Sequence, residues 1–355
     1  MPATAPSNHP RLPPEIMLMV FKHLERTASP STLATAARTS HSFHQDLIPV
    51  LYRSPTLIKD NCRSFFHGLF STQCLSQEEK DAWWEGELGD KKSRVARRIA
   101  MLGLVQNVFL ADLQAVRICK AAVAALRAKG LEAPPNDWYT PHMDDSYPRI
   151  LLFYGRVPLN VHLSSKLFLS LAGESERLTP TLIPDALGGM VRPSGILSVQ
   201  LPREECNKMP YLWRTVVTPI CLEVDPRMLV IDDVGKGAHV TSPPFCPPGV
   251  AIRFGNDVGE PEIWQVLESF YRKYLHSITQ NSLHCIIYNY PPKGLAELKR
   301  QDTVENAILS KAFSKLHQSY APREVKLRVY MEGAVKSNVS MEEMGNELRE
   351  FMKSA

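Results

Sequence analysis

The sequence predicts an α+β protein overall, in which a small three-helix module precedes a larger α/β region. Leu12 and Pro13 open a short, strongly apolar helical run, and two further helical segments follow before residue 54. Beyond residue 100, aliphatic and β-branched runs alternate with helical periodicity, which is typical of α/β arrangements. Residues 1–11, rich in Pro, Ala and Ser, are expected to be a disordered lead.

Composition limits the classes of function. The 355 residues are enough for about two domains and need no disulfide or metal staple to bury a core. A hydrophobic content of 44% with 22% charged residues is that of an ordinary globular protein. A net charge of +4 is too small to indicate a nucleic-acid surface, and no apolar run is long enough to span a bilayer. We therefore expect neither nucleic acid nor membrane as a partner.

The cysteines and the N-terminal composition indicate the compartment. The seven cysteines are scattered and include no Cys-x-x-Cys pair, so neither a disulfide framework nor a zinc ribbon is predicted. The first residues lack the apolar segment of a secretory signal. Reduced, mostly buried thiols in a cytoplasmic and/or nuclear protein are expected.

The N-terminal module is predicted to contain three helices. The first covers about residues 14–25 and begins with prolines, which are tolerated at a helix start. Ser29 is the expected N-cap of the second helix, at about residues 30–40. The third covers about residues 41–52 and is expected to bend or restart at Pro49.

The first helix carries more apolar surface than this module can cover. One stripe at helical spacing consists of Ile16, Met19, Val20 and Leu24. Other apolar side chains lie off that stripe and are expected to remain as an exposed patch: Met17, Leu18, Phe21 and Leu51. Such a patch usually marks a surface for a partner. The alternative is that the module packs on the α/β region.

A connecting region with a charged segment, residues 55–100, precedes the α/β region at residues 101–355. Strands are predicted at residues 56–58, 105–110, 150–154, 196–201, 220–224, 228–231, 251–254, 283–288 and 325–330. Helices are predicted at residues 63–70, 112–129, 164–172, 261–278, 295–316 and 341–352. Two architectures fit this alternation: a curved stack of irregular, degenerate leucine-rich-like units, or a closed or open doubly wound sheet. Variable unit lengths and the lack of a glycine-rich phosphate turn favour the first.

Residues 12–53 resemble an F-box, the adaptor-docking domain of substrate receptors in SCF-type cullin–RING ubiquitin ligases. The matching positions are Leu12, Pro13, Glu15, Ile16, Val20, Leu24, Leu33, Phe43 and the closing Leu51-Tyr52-Arg53. Thr39 and Ser40 depart from the family, which usually has Val-Cys there. The stretch that follows is similar to that of fungal-type F-box receptors, which continue into irregular leucine-rich-like units.

The resemblance implies a non-catalytic substrate receptor for ubiquitin-dependent protein degradation, with no cofactor and no metal. The helical module would dock on a Skp-type adaptor and cullin complex, and the α/β region would bind an unknown protein substrate. The residues expected to dock, or to hold the docking helices in shape, are Leu12, Pro13, Ile16, Val20, Phe21, Leu24, Leu33, Phe43 and Leu51. Two alternatives are an interaction scaffold outside a ligase and an α/β enzyme with a helical appendage.

Other motifs are interpreted as structural. Asp232 and Asp233 follow four apolar residues, as in nucleotide hydrolases, but without a phosphate-binding loop they read as the end of a buried strand. His41 and His44 lack a third zinc ligand, and the cluster at residues 142–145 is expected to be a solvated loop. Cys285 is expected to be a core thiol.

The charged segment also receives a structural interpretation. The basic residues between 91 and 98 follow six acidic residues, which favours a salt-bridged exposed helix over a nucleic-acid contact. The Trp83-Trp84 pair is expected to fasten a loop to the core.

Overall fold

The structure is a computed structural model. It describes residues 13–84, 93–131, 152–153, 160–173, 195–202, 213, 217–218, 221, 226–236, 240, 247–276, 282–291, 305, 324–331, 333–334 and 339–354. The chain divides into two compact units, unit 1 (Met1–Ser54) and unit 2 (Pro55–Ala355). Across the described residues, no helix has both the length and the apolar character needed to cross a membrane.

Unit 1 contains three helices, α1 (Pro14–Thr27), α2 (Pro30–Ala36) and α3 (His41–Arg53). Serine side chains cap two of them: Ser29 accepts a hydrogen bond from the Thr32 N–H at 3.2 Å, and Ser40 accepts one from the Phe43 N–H at 3.1 Å. The Ser29 cap is confirmed. Because Ser40 has extended backbone as the cap of α3, α2 ends before it rather than at residue 40. Helix α3 runs uninterrupted through Pro49, so the expected restart is not observed.

The described part of unit 2 is built on one sheet of eight parallel strands. These are β1 (Thr56–Leu57), β2 (Asn107–Leu110), β3 (Asn160–Leu163), β4 (Ile196–Gln200), β5 (Met228–Val234), β6 (Gly249–Phe254), β7 (Ser282–Tyr290) and β8 (Glu324–Met331). Their order in the sheet is their order in the chain. A doubly wound sheet is defined by a point at which the strand order reverses. The order observed here has no such reversal, so the doubly wound alternative does not describe unit 2.

Helices between the strands cover one side of the sheet, here called the first face. They are α4 (Lys59–Phe65), α5 (Gln77–Trp84), α6 (Arg94–Leu102), α7 (Leu113–Ala128), α8 (Ser165–Gly173) and α9 (Glu260–His276). Each contributes buried side chains to one main core together with the strands, for example Cys62, Trp83, Val95, Val116, Phe168 and Ile263. Right-handed crossovers between successive neighbours place connections on the same side, which explains this one-sided packing.

The strand residues that alternate with the main core point to the opposite side, here called the second face. Within the described residues this face is covered by one helix, α10 (Met341–Lys353), which forms a separate apolar cluster with the strands. The strands read as nearly continuous apolar runs because both faces are covered, as is usual for parallel sheets.

Several predicted boundaries differ from the structure. Strand β3 was not predicted. At residues 150–154 only Leu152 and Phe153 are described, as buried bends, and Cys221, predicted in a strand, is helical. The helix predicted at residues 63–70 gives way to a turn after Phe65. Gly68 lies in this turn with φ +99°, a conformation that ends helices.

Candidate interaction surfaces

Helix α1 exposes a row of large apolar side chains. Ile16, Met19 and Val20 are 43%, 67% and 45% exposed, respectively. With 3.6 residues per turn, these three positions fall on one side of the helix. We call this row the α1 stripe (Ile16, Met19 and Val20).

Other apolar side chains of α1 pack within unit 1. Phe21 and Leu24 contact a cluster whose buried members are Leu33, Ala37 and Leu47. The Phe21 ring meets the Phe43 ring edge-to-face, with 5.2 Å between their centroids, a favourable aromatic geometry. Phe21 is therefore committed to holding α1 against α3.

The nine residues expected at the docking site fall into three groups. Leu12 lies outside the described residues. Pro13, Ile16 and Val20 are exposed at the start and along one side of α1. The remaining five belong to or pack against the apolar cluster: Phe21, Leu24, Leu33, Phe43 and Leu51.

The expected position of the exposed patch is wrong in its described part. Phe21 and Leu51, expected in that patch, pack against the cluster, while the α1 stripe is exposed instead. The side chains of Met17 and Leu18 lie outside the described residues. Met19, the most exposed of the stripe, was absent from the docking set although its spacing from Ile16 is helical.

In unit 2, α10 lies on the second face and buries the middle of its apolar side there. Met344 and Leu348 have no exposed surface. They pack against strand residues Ile196, Met228, Val230, Ala251, Ile286 and Tyr288. The second face thus has an apolar floor that α10 fills.

Two glycines allow the close approach of α10 to the sheet. A Cβ atom on Gly345 of α10 would lie 2.8 Å from Cδ1 of Ile196. A Cβ atom on Gly249 of β6 would lie 2.5 Å from Sδ of Met352 and 3.3 Å from Cδ2 of Leu348. Any other residue at either position would push the helix away or force its neighbours to move.

Polar contacts hold α10 on the side of β7 and β8. The Glu347 carboxylate accepts hydrogen bonds from the Tyr288 hydroxyl at 3.1 Å, from the Tyr330 hydroxyl and from Arg328 Nη1 at 3.4 Å. Burial, together with the neighbouring Glu347 carboxylate, raises the pKa of Tyr288 above its ordinary value. The Arg328 guanidinium also lies 4.4 Å from the centre of the Phe351 ring, within cation–π range.

Further polar contacts hold α10 on the side of β2 and β3. Asn160 Nδ2 donates to Asn107 Oδ1 at 2.7 Å, which joins the two strands. Asn107 Nδ2 in turn donates to Glu342 Oε1 at 3.2 Å, and Arg349 Nη2 donates to Asn160 Oδ1 at 3.2 Å. Nothing in the sequence pattern marks these two asparagines beyond their place at the start of two strands.

The reach of α10 requires the second face to be concave. Across a flat sheet, β2 and β8 would lie about 29 Å apart, since neighbouring strands are about 4.8 Å apart. The two α10 residues that reach these strands, Glu342 and Glu347, are only about 7.5 Å apart along the helix axis, and strand side chains stand nearly perpendicular to the sheet. Because α10 contacts both Asn107 on β2 and Tyr330 on β8, the sheet must curve around it. We call this concavity the trough (the second face of β2–β8).

Asp232, near the end of β5, helps to position the segment before α10 through Arg253. Arg253 donates to both carboxylate oxygens of Asp232, at 2.6 and 2.8 Å, and its Nη1 donates to the carbonyl of Val339 at 2.5 Å, just before α10. Burial raises the pKa of Asp232, and the bidentate guanidinium opposes that rise. The interpretation of Asp232 as the end of a buried strand is confirmed; the ion pair was not foreseen.

A buried histidine and a buried serine face the trough side. His162 on β3 and Ser198 on β4 are register neighbours, and among the described residues neither imidazole nitrogen nor the Ser198 hydroxyl has a hydrogen-bond partner. The His162 ring stacks on Phe109 with 4.2 Å between centroids. Burial lowers the pKa of His162 to about 4, so the imidazole is neutral at pH 7.

The remaining motifs have structural positions. His41 and His44 are exposed, and among the described residues no three His, Cys, Asp or Glu side chains converge as a metal site. Trp83 is buried in the main core as expected, while the side chain of Trp84 and residues 142–145 lie outside the described part. Cys285 is a core thiol, confirming its interpretation, and burial raises its pKa to about 12.

The charged segment is described only in part. Residues 85–92 lie outside the described chain, and the helix α6 that follows has Arg94 and Arg97 exposed. Arg98 Nε donates to the carbonyl of His67 at 2.8 Å, so this basic residue helps to hold a neighbouring turn.

Comparison with known proteins gives no relative. No family model, no curated protein and no solved structure matches the chain.

Proposed function

We propose that this protein is a non-catalytic substrate receptor of an SCF-type cullin–RING ubiquitin ligase. Unit 1 would dock on a Skp-type adaptor in the manner of an F-box, and unit 2 would present a protein substrate. The observation that carries this proposal is the α1 stripe, an apolar surface on the helix that follows the Leu-Pro opening of the sequence. An apolar row exposed on a short helix is suited to helix-in-groove contact with a second protein.

The internal order of unit 1 supports the same proposal. Leu24, Leu33 and Phe43, which match apolar positions of the F-box pattern, hold the three helices together. Ile16 and Val20, which also match that pattern, point outward. The motif therefore supplies both a scaffold and a surface for contact.

For unit 2 we propose a degenerate leucine-rich-like array. Parallel strands in chain order, with their connecting helices on one face, are the arrangement that such arrays share. Arrays of this kind use their concave surface to bind proteins. The trough is then the natural position for substrate recognition.

Binding of a purified Skp-type adaptor tests the proposal. The double change Ile16→Glu with Val20→Glu places two charges in the α1 stripe, and we expect adaptor affinity to fall at least about tenfold, since a desolvated charge in an apolar contact costs more than 1.4 kcal/mol. Calorimetric titration measures the affinity. Because both side chains are exposed, thermal stability should change little.

Lys22→Glu is the matched control, because it adds the same side chain to an exposed position of α1 outside the stripe. It should bind the adaptor with nearly wild-type affinity. Equal adaptor binding by the double variant and the wild type would contradict the proposal. Recovery of adaptor without cullin from cells would favour the scaffold function instead.

A further inference from the structure

The trough has the shape and chemistry of a site for one amphipathic helix. Its floor is apolar, and Gly249 leaves room for a helix to approach closely. Its two walls carry hydrogen-bonding groups: Asn107 and Asn160 on one side, and Tyr288, Tyr330 and Arg328 on the other. The hydroxyls and the guanidinium converge on one carboxylate, that of Glu347.

Helix α10 shows which pattern this site accepts. Its apolar side chains at Met344, Leu348 and Met352 repeat every four residues and meet the floor. Its acidic side chain at Glu347 lies one position before the middle apolar residue and meets the polar wall. The pattern is thus three apolar residues at i, i+4 and i+8 with a carboxylate at i+3.

Helix α10 is separable from the rest of unit 2. No α10 residue belongs to the main core on the first face, because the sheet lies between the two clusters. Residues 332–340 connect the helix to β8. Its departure would expose the trough floor while leaving the main core intact, as in a local opening of one cooperative segment.

We propose that the trough is a recognition site for an amphipathic helix of a partner protein carrying this pattern, and that α10 occupies the trough until that helix displaces it. This inference rests on the proposed function in one respect: the partner is the ligase substrate. A tethered α10 competes at high effective concentration, so an outside helix binds in proportion to the open fraction. The free protein is therefore closed to substrates that match the pattern poorly.

Peptide binding to full-length variants tests this inference. Gly345→Glu places a charge where a Cβ alone would lie 2.8 Å from Ile196, so α10 should leave the trough. The probe is a fluorescent peptide of residues 339–355 with the native Gly345, followed by anisotropy. If the trough of the wild type is open less than about 1% of the time, the variant should bind the probe at least about 100-fold more tightly.

Asn346→Glu is the matched control, because it adds the same side chain one residue further on at an exposed position. It should bind the probe as weakly as the wild type. A folded Gly345→Glu protein that fails to bind the probe would overturn the inference. Loss of folding in that variant would also overturn it, since α10 would then be inseparable from the sheet.

Hydrogen exchange on the unmodified protein gives an independent answer. We expect α10 amides to exchange through openings that leave β5 and β6 amides protected; equal protection of both would overturn the inference.

The protein should be monomeric by light scattering. A dimer held by exchanged α10 helices would mean that a second copy occupies the trough, and it would overturn the inference. Neither assay involves the adaptor. A failure of the F-box proposal can therefore be distinguished from a failure of this inference.

Discussion

Helices α1 and α10 are similar in length and opposite in environment. Both carry apolar residues at helical spacing, with 14 residues in α1 and 13 in α10. Met344 and Leu348 of α10 are completely buried against the sheet, whereas Ile16, Met19 and Val20 of α1 are exposed. An amphipathic pattern therefore identifies which residues form an apolar row, but the surrounding structure decides whether that row is covered.

The difference follows from what each unit offers to its helix. Unit 1 consists of three short helices, and about 40 residues bury too little surface to enclose a helix that is apolar on several sides. Unit 2 offers a curved sheet with an apolar floor and polar walls on both flanks of α10. The trough satisfies both the apolar and the charged side chains of its helix.

Removal of one apolar side chain from each helix gives the largest contrast. Leu348→Ala should destabilise unit 2 by about 2–5 kcal/mol, because it leaves a cavity between α10 and the sheet. Met19→Ala should change the stability of unit 1 by less than about 0.5 kcal/mol, because Met19 is 67% exposed. Urea unfolding followed by circular dichroism measures both.

A loss of stability in the Met19→Ala protein as large as that in Leu348→Ala would contradict this contrast. It would mean that α1 is covered within the same chain, and the surface assigned to the adaptor would not be free. The comparison therefore tests the basis of the proposed function without any partner present.

Acid should act on unit 2 through a second difference between the regions. His41 and His44 of unit 1 are exposed, whereas His162 of unit 2 is buried with a pKa of about 4. An unfolded histidine has a pKa near 6.5. Between that pH and about pH 4, His162 is therefore protonated in the unfolded state but neutral in the folded state. The free energy of unfolding should fall by about 3 kcal/mol between pH 6.5 and pH 4 through this residue.

His162→Phe is the control for this pH dependence. Phenylalanine keeps a flat ring against Phe109 and carries no titratable nitrogen. Urea unfolding at a series of pH values should show a shallower fall for the variant than for the wild type over that interval. Parallel curves would mean that His162 gains its proton without cost and that its surroundings are wetter than its burial indicates.

Much of the sheet was predictable because parallel strands covered on both faces are nearly continuous apolar runs. The runs at Met228 and Val325 were found in this way, and the helix predicted at residues 341–352 is observed at Met341–Lys353. Strand β3 escaped prediction because it is only four residues long and begins with Asn160, with His162 at its centre. Both polar residues are buried by tertiary packing, which local periodicity does not reveal.

The candidate surfaces were predictable only in part, for a related reason. The sequence indicates that α1 has more apolar surface than unit 1 can bury. Which side of α1 faces outward, however, depends on the contact between the Phe21 and Phe43 rings. The trough depends on Gly249 and Gly345, which are 96 positions apart in the chain and meet only through the same helix–sheet contact. Neither glycine lies in a motif, so sequence reasoning gave no reason to connect them.

The smallest contrast concerns the helix caps, where the two units use the same chemistry. Ser340 accepts a hydrogen bond from the Glu343 N–H at 3.2 Å, and Ser40 accepts one from the Phe43 N–H at 3.1 Å. Ser340→Ala and Ser40→Ala should each cost about 1 kcal/mol, because each leaves one helix N–H without its partner. Hydrogen exchange should locate the first loss in α10 and the second in α3. A Ser340→Ala cost well above that of Ser40→Ala would show that the start of α10 is held as part of the whole sheet, which argues against its separate opening.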